Sequence, residues 1–164
     1  SGPLKFHHEF RVALADCPNA CSQPQIKDVG IIGAVKPMIG AAACTCCGAC
    51  EAACPDEAVT CDADGRVERI DEDRCVACGR CAAACPTGTL ERRLTGYRVQ
   101  LVGRLGRHPR LAAELEGIHT EETVAAIVKD CIDFYMRHTG SFRRFGDVLT
   151  PGFLKTLSDR YPAR

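Results

Sequence analysis

The chain has 164 residues, of which 21 are basic, 21 acidic and 13 cysteine, and it carries no formal net charge. That length suits one domain with an insertion, or two small units. A balanced charge gives no general attraction to nucleic acid or anionic membranes, and no apolar run nears the ~20 residues that span a bilayer. Ser1–Phe10 has neither the apolar core nor the cleavage site of a signal peptide, so the expected location is cytoplasmic.

The first predicted strand is Glu9–Ala15, with Phe10, Val12 and Leu14 on one face at period two. A Cys17-Pro18-Asn19-Ala20-Cys21-Ser22 loop follows, then a second strand, Ile26–Val35, β-branched and interrupted by Gly30 and Gly33. In the next region Ala58–Cys61 and Arg66–Ile70 flank Ala63-Asp64-Gly65, a hairpin pattern. A third strand is expected over Tyr97–Leu105, followed by a basic loop, Gly106–Arg110.

A long helix is predicted over Thr120–His138. Thr120 caps it, Glu121 and Glu122 suit its positive end, and Arg137 and His138 suit the other. Val124, Ile127, Val128, Cys131, Ile132 and Tyr135 form its apolar face. Thr150-Pro151 opens a last short helix. The expected architecture is α+β. Residues 1–40 and 95–164 make a discontinuous domain, a mixed sheet with the long helix packed on it, and residues 41–94 an inserted one.

The inserted region carries a repeat. Cys44, Cys47, Cys50 and Cys54 precede Pro55; Cys75, Cys78, Cys81 and Cys85 precede Pro86; each member of the second run lies 31 residues after its counterpart. Both runs read C-x2-C-x2-C-x3-C-P, the spacing of bacterial ferredoxins with two [4Fe–4S] clusters, in which the cysteine before proline ligates the other cluster. The pattern therefore predicts one cube on Cys44, Cys47, Cys50 and Cys85 and another on Cys75, Cys78, Cys81 and Cys54, in a pseudo-twofold fold.

Two other uses of cysteine compete. A secreted disulfide scaffold is opposed by the missing export signal, the matched register, and the vicinal Cys46 and Cys47. Zinc binding also uses C-x2-C, but not repeated four-cysteine runs. Outside the eight, Cys46 is read as a free thiol over a substitute ligand, Cys61 as structural, and Cys131 as core packing.

The stretch Ala15–Cys21 with Asp28-Val29-Gly30 resembles the sirohaem–iron–sulfur signature of the sulfite and nitrite reductases. Val102–Leu111 is similar to the segment that follows in the dissimilatory type, where a two-cluster ferredoxin module lies between the two. The resemblance runs from about Phe10 to Leu157. It implies a catalytic [4Fe–4S] cluster held by an upstream C-x5-C pair and a downstream C-x3-C pair, one thiolate bridging to sirohaem. Cys17 and Cys21 match the downstream pair, with Cys21 at the bridging position.

No cysteine precedes Cys17, and Cys44/Cys50 and Cys75/Cys81, which have the upstream spacing, follow Cys21 instead. Sirohaem and a third cluster are therefore expected only with further sequence or a partner chain. The chain reads as the C-terminal part of a larger reductase, a small stand-alone relative, or a subunit that completes its site with another.

Lys36, Arg104, Arg107 and Arg110 are candidates to bind sulfite, nitrite or sirohaem carboxylates, and His7, His8 and His108 to supply protons; a solvated surface role is the plain alternative for each. No catalytic residue is assigned. Two functions follow: the electron-input part of a sulfite- or nitrite-type reductase, or a ferredoxin-like carrier without a catalytic site. Both need redox donor and acceptor proteins as partners. The first adds a reductase subunit or N-terminal part, and neither involves nucleic acid or membrane.

Overall fold

The computed structural model describes residues 9–138 and 144–163; His7 and His8 lie outside them. Its elements are β1 (Val12–Ala15), a 3-10 turn (Pro24–Ile26), β2 (Val29–Ile39), α1 (Ala49–Ala52), β3 (Val59–Cys61), β4 (Val67–Ile70) and α2 (Arg80–Ala84). Then come β5 (Leu90–Leu101), β6 (Ala113–His119), α3 (Glu121–His138), α4 (Phe145–Val148) and α5 (Pro151–Arg160). One sheet has the order β1-β2-β5-β6 and the other pairs β3 with β4. The first is mixed, with β1 parallel to β2 and β5 antiparallel to β6. The architecture is α+β. The chain divides into two compact units, Ser1–Gly33 with Gly96–Arg164, and Ala34–Thr95.

In the first unit Val12 lies opposite Val29. Parallel neighbours need a crossover of about a dozen residues, and the Cys17–Cys21 loop with its 3-10 turn supplies it. Contrary to the sequence reading, Gly30 and Gly33 do not interrupt β2, which runs through both. A Cβ at Gly33 would strike the Asp16 carbonyl oxygen, and one at Gly30 the Pro24 carbonyl oxygen. These glycines let the crossover lie directly on the strand. Gly33→Ala should accordingly cost about 1–3 kcal/mol of stability, as overpacking does, read as a lowered urea midpoint for the first unit.

Thr120 Oγ1 accepts the Thr123 N–H at 3.3 Å, capping α3, and Thr150 Oγ1 accepts the Phe153 N–H at 3.2 Å, capping α5. The buried face of α3 is Val124, Ile127, Cys131, Phe134 and Tyr135. Ile132 is 38% exposed, contrary to expectation, and Phe134 replaces it because it falls three residues after Cys131 on the same stripe. These side chains join Val29, Ile31, Val99, Leu101, Leu115, Phe145 and Leu157 in one core.

Several strand boundaries differ from the sequence reading, and β2 runs on to Ile39. β1 is shorter, beginning at Val12, and Ile26 belongs to the 3-10 turn. β5 starts at Leu90 and stops at Leu101, where Val102 takes a left-handed φ of 61°. β6 was not foreseen: its large apolar residues, Leu115 and Ile118, lie three apart among polar neighbours and give no period-two alternation. Arg98 and Gln100 on β5 hold Glu114 on β6, at 2.6 Å and 3.0 Å.

Candidate metal centre

The second unit is built twice from one backbone. Gly48, at φ 68°, opens α1, and Gly79, at φ 71°, opens α2; the two glycines are 31 residues apart. Two more pairs at that separation share the left-handed conformation: Cys46 with Ala77 (55° and 56°), and Glu57 with Gly88 (49° and 70°). Residues with side chains seldom adopt positive φ, so its recurrence in register means that the loop path itself is repeated. Such wound loops turn successive N–H groups inward, which suits an anionic guest.

Each loop is seated by a neighbour. Gly65, at the hairpin tip with φ 83°, approaches the first loop so closely that a Cβ would lie 2.6 Å from the Cys46 carbonyl oxygen. On the other side Val35 donates its N–H to the Ala77 carbonyl at 2.7 Å and bridges to Cys78. A Cβ at Gly79 would meet the Val35 side chain at 2.7 Å.

These supports place the sulfurs around two small hollows. One is lined by Cys44, Cys47 and Cys50 of the first run together with Cys85 of the second. The other is lined by Cys75, Cys78 and Cys81 together with Cys54. Cys50 and Cys81, on the short helices, are buried, Cys47 is exposed, and the other five are half-buried. All thirteen cysteines are unbridged. Among the described residues, no three Cys, His, Asp or Glu converge on a point suited to a single metal ion. The four cysteines of each set instead line a hollow.

Hydrogen bonds prepare several of these sulfurs for negative charge. Cys54 Sγ accepts the Ala58 N–H at 3.2 Å, and Cys85 Sγ accepts the Leu90 N–H at 3.4 Å. Burial raises the Cys85 thiol, but the Leu90 and Thr87 donors outweigh it and bring it down to about 7. The Val67 and Cys46 N–H groups lower Cys44 below its ordinary value. Thiolate is the form that binds iron. Burial pushes Cys81 up to about 11, so its thiolate needs a cation alongside.

Cys131, in the α3 face, is fully buried and pushed to about 12 by burial, a packing residue. Cys46 lies with its Sγ 4.0 Å from the Cys44 carbonyl. Cys61 does more than fill the hairpin: its Sγ lies 3.9 Å from that of Cys50.

In the first unit Cys17 and Cys21 are both exposed. Their loop is wound by Ala20 N–H to Cys17 O at 3.0 Å and Gln23 N–H to Ala20 O at 2.8 Å, with Ala20 and Gln23 left-handed. The anion candidates separate. Lys36, in the second unit, pairs with Glu72 at 3.1 Å. Arg107 and His108 are exposed. Arg104 and Arg110 line a cavity of about 300 Å³ in the first unit.

Arg11, Lys27 and Arg144 share that cavity with them and were not anticipated. The available signal was weak: Arg11 is polar beside an apolar strand position, and Lys27 precedes the acidic Asp28. Arg110 is tied to the Val102 carbonyl at 3.0 Å, and Arg104 to the His108 carbonyl at 2.8 Å. Asp28 accepts the Arg11 N–H at 2.9 Å, and burial nonetheless holds its carboxyl above the ordinary value.

Among known proteins, the family model described as the nitrite and sulphite reductase 4Fe-4S domain matches residues 2–150. The coenzyme F420-dependent sulfite reductase of Methanocaldococcus jannaschii is 38% identical over 52 residues, which is 32% of this chain and 8% of that protein. A subunit of the anaerobic sulfite reductase of Salmonella typhimurium is 39% identical over 59 residues, 36% of this chain and 17% of that relative. The chain thus matches under a fifth of the length of either.

The crystal structure of dissimilatory sulfite reductase I superposes with a TM-score of 0.63 over 97% of this chain and 43% of that one, at 15% identity, a likeness of fold. No helix among the described residues is long and apolar enough to cross a membrane. A family match over nearly the whole length, joined to two sulfite reductase relatives and a sulfite reductase fold, places this chain in the nitrite and sulphite reductase 4Fe-4S domain family.

Proposed function

We propose that the chain is the electron-input part of a sulfite-reducing enzyme, holding two [4Fe–4S] clusters in an inserted ferredoxin-type domain, residues 41–94. One cluster is assigned to Cys44, Cys47, Cys50 and Cys85, the other to Cys75, Cys78, Cys81 and Cys54. The observation carrying this reading is that each hollow is lined by three sulfurs of one run and the last sulfur of the other. When bound, each cluster takes up and returns one electron. The protein's part is to supply four thiolates, direct N–H groups at them, and keep the site narrow with Gly65 and Gly79.

Residues 1–40 and 95–164 are the reductase-like domain in this reading. There Cys17 and Cys21 provide half of the ligands for a sirohaem-coupled cluster, the rest coming from upstream sequence or a partner subunit. Arg11, Lys27, Arg104, Arg110 and Arg144 supply the positive charge that an anionic substrate or a sirohaem carboxylate needs. Sulfite is favoured over nitrite because the relatives found are sulfite reductases or a subunit of one. A cytoplasmic setting agrees with so many reduced thiols.

Anaerobic reconstitution with iron and sulfide tests this. The expected result is about eight irons and eight sulfides per chain, with paramagnetic signals on reduction. About two zinc ions in place of iron would overturn the cluster assignment. About twelve irons with sirohaem absorption would show instead that the chain assembles the coupled centre alone.

A further inference from the structure

We propose that Cys61 tunes the reduction potential of the cluster on Cys44, Cys47, Cys50 and Cys85 by donating its S–H to Cys50, so that the two clusters differ. This inference rests on the cluster reading above. Cys61 Sγ lies 3.9 Å from Cys50 Sγ, within sulfur hydrogen-bonding distance. Between two thiols either atom can donate. A Cys50 that ligates iron is a thiolate with no proton left, so Cys61 becomes the donor.

The hairpin holds Cys61 in that position. Cys61 ends β3 opposite Val67 on β4, and the register slips between Thr60 and Cys61. Such a bulge redirects the side chain that follows it. Cys61 packs at the edge of the small core formed by Cys50, Val59, Val67, Cys81 and Leu90. It has no role in the ligand count, since Cys85 already completes the set lining that hollow.

The repeat makes the asymmetry plain. The position 31 residues after Cys61 is Arg92, an exposed side chain on β5. The ligand corresponding to Cys50 is Cys81, and its twin-site partner at that position brings no thiol. Two loops with one backbone path therefore differ in a donor beside one ligand sulfur. A donor at a ligand sulfur draws electron density from it and favours the more negative, reduced cluster. Cys61 accordingly raises the potential of its own cluster and leaves the other unaffected.

The test is a dithionite titration of the reconstituted chain, followed by electron paramagnetic resonance, after iron analysis of each variant. Cys61→Val keeps the volume and suits a strand, but removes the donor; Cys61→Ser keeps a donor. With iron content equal to wild type, Cys61→Val should lower one midpoint by about threefold in the reduction equilibrium, about 28 mV at 59 mV per decade. The second midpoint should not move, and Cys61→Ser should restore most of the shift. Unmoved midpoints in Cys61→Val would overturn the inference and leave the clusters standing. So would equal shifts of both, or a serine variant behaving like valine. A wild-type chain that takes up no cluster overturns both.

Discussion

Replacing Cys54 with alanine should remove the cluster of the opposite run, lowering bound iron from about eight to about four per chain. Loss of four irons alone does not say which four, so the decisive comparison uses a chain already reduced to one site. With Cys75, Cys78 and Cys81 replaced by alanine, the remaining cluster should sit on Cys44, Cys47, Cys50 and Cys85. Adding Cys54→Ala to that background should leave about four irons, whereas adding Cys85→Ala should abolish binding. The opposite pattern would mean that each run closes on itself.

The physical ground for expecting the crossed result is the short α1 helix. It ends at Ala52, and Cys54 leaves it with its Sγ accepting the Ala58 N–H, in the hollow shared with Cys75, Cys78 and Cys81. Pro55 cannot continue a helix, so the chain turns away directly after the ligand. Cys85 is placed in the same way, followed by Pro86 and bonded by Leu90.

Features written in adjacent residues were legible in the sequence. Thr120 before two glutamates and Thr150 before proline mark helix starts by local chemistry alone, and both hydroxyls cap as read. The β3–β4 hairpin was legible for the same reason, since Gly65 supplies the turn conformation. Residues whose place depends on a distant neighbour were not. Leu90–Arg93 looks like a charged segment, and only a neighbouring strand makes it the start of β5. β6 carries Glu114, whose partner, Arg98, lies on another strand.

The candidate sites divide in the same way. Cysteine spacing alone suggests the eight proposed ligands, because each run is one short local pattern. That Cys61 adjoins Cys50 depends on a bulge, which spacing cannot express. The arginine-lined cavity collects Arg11, Lys27, Arg104, Arg110 and Arg144 from separate segments, so no window of sequence contains it.

Removing iron should unfold residues 34–95 while the first unit persists. The two units have unequal cores. Fourteen buried side chains, including Phe134, Tyr135, Phe145 and Leu157, hold the first together. The second has a smaller cluster, Val59, Val67 and Leu90 with Cys50 and Cys81, beside the buried methyl groups of Ala34, Ala58 and Ala77. Two of the five side chains of that cluster are thus proposed ligands, and apart from the end of β2 and the start of β5 its regular structure is two short helices and a small hairpin.

Under the proposed cluster assignment such a unit gains its order from metal binding, because ligand bonds form only in the folded state. Hydrogen exchange of the iron-loaded and chelated chain would measure this directly. The amides of β3, β4, α1 and α2 should lose protection by orders of magnitude on chelation, while those of α3 change little. Equal protection of the hairpin in both forms would show that the small apolar core suffices, and that the thiolates are additions to a fold already made.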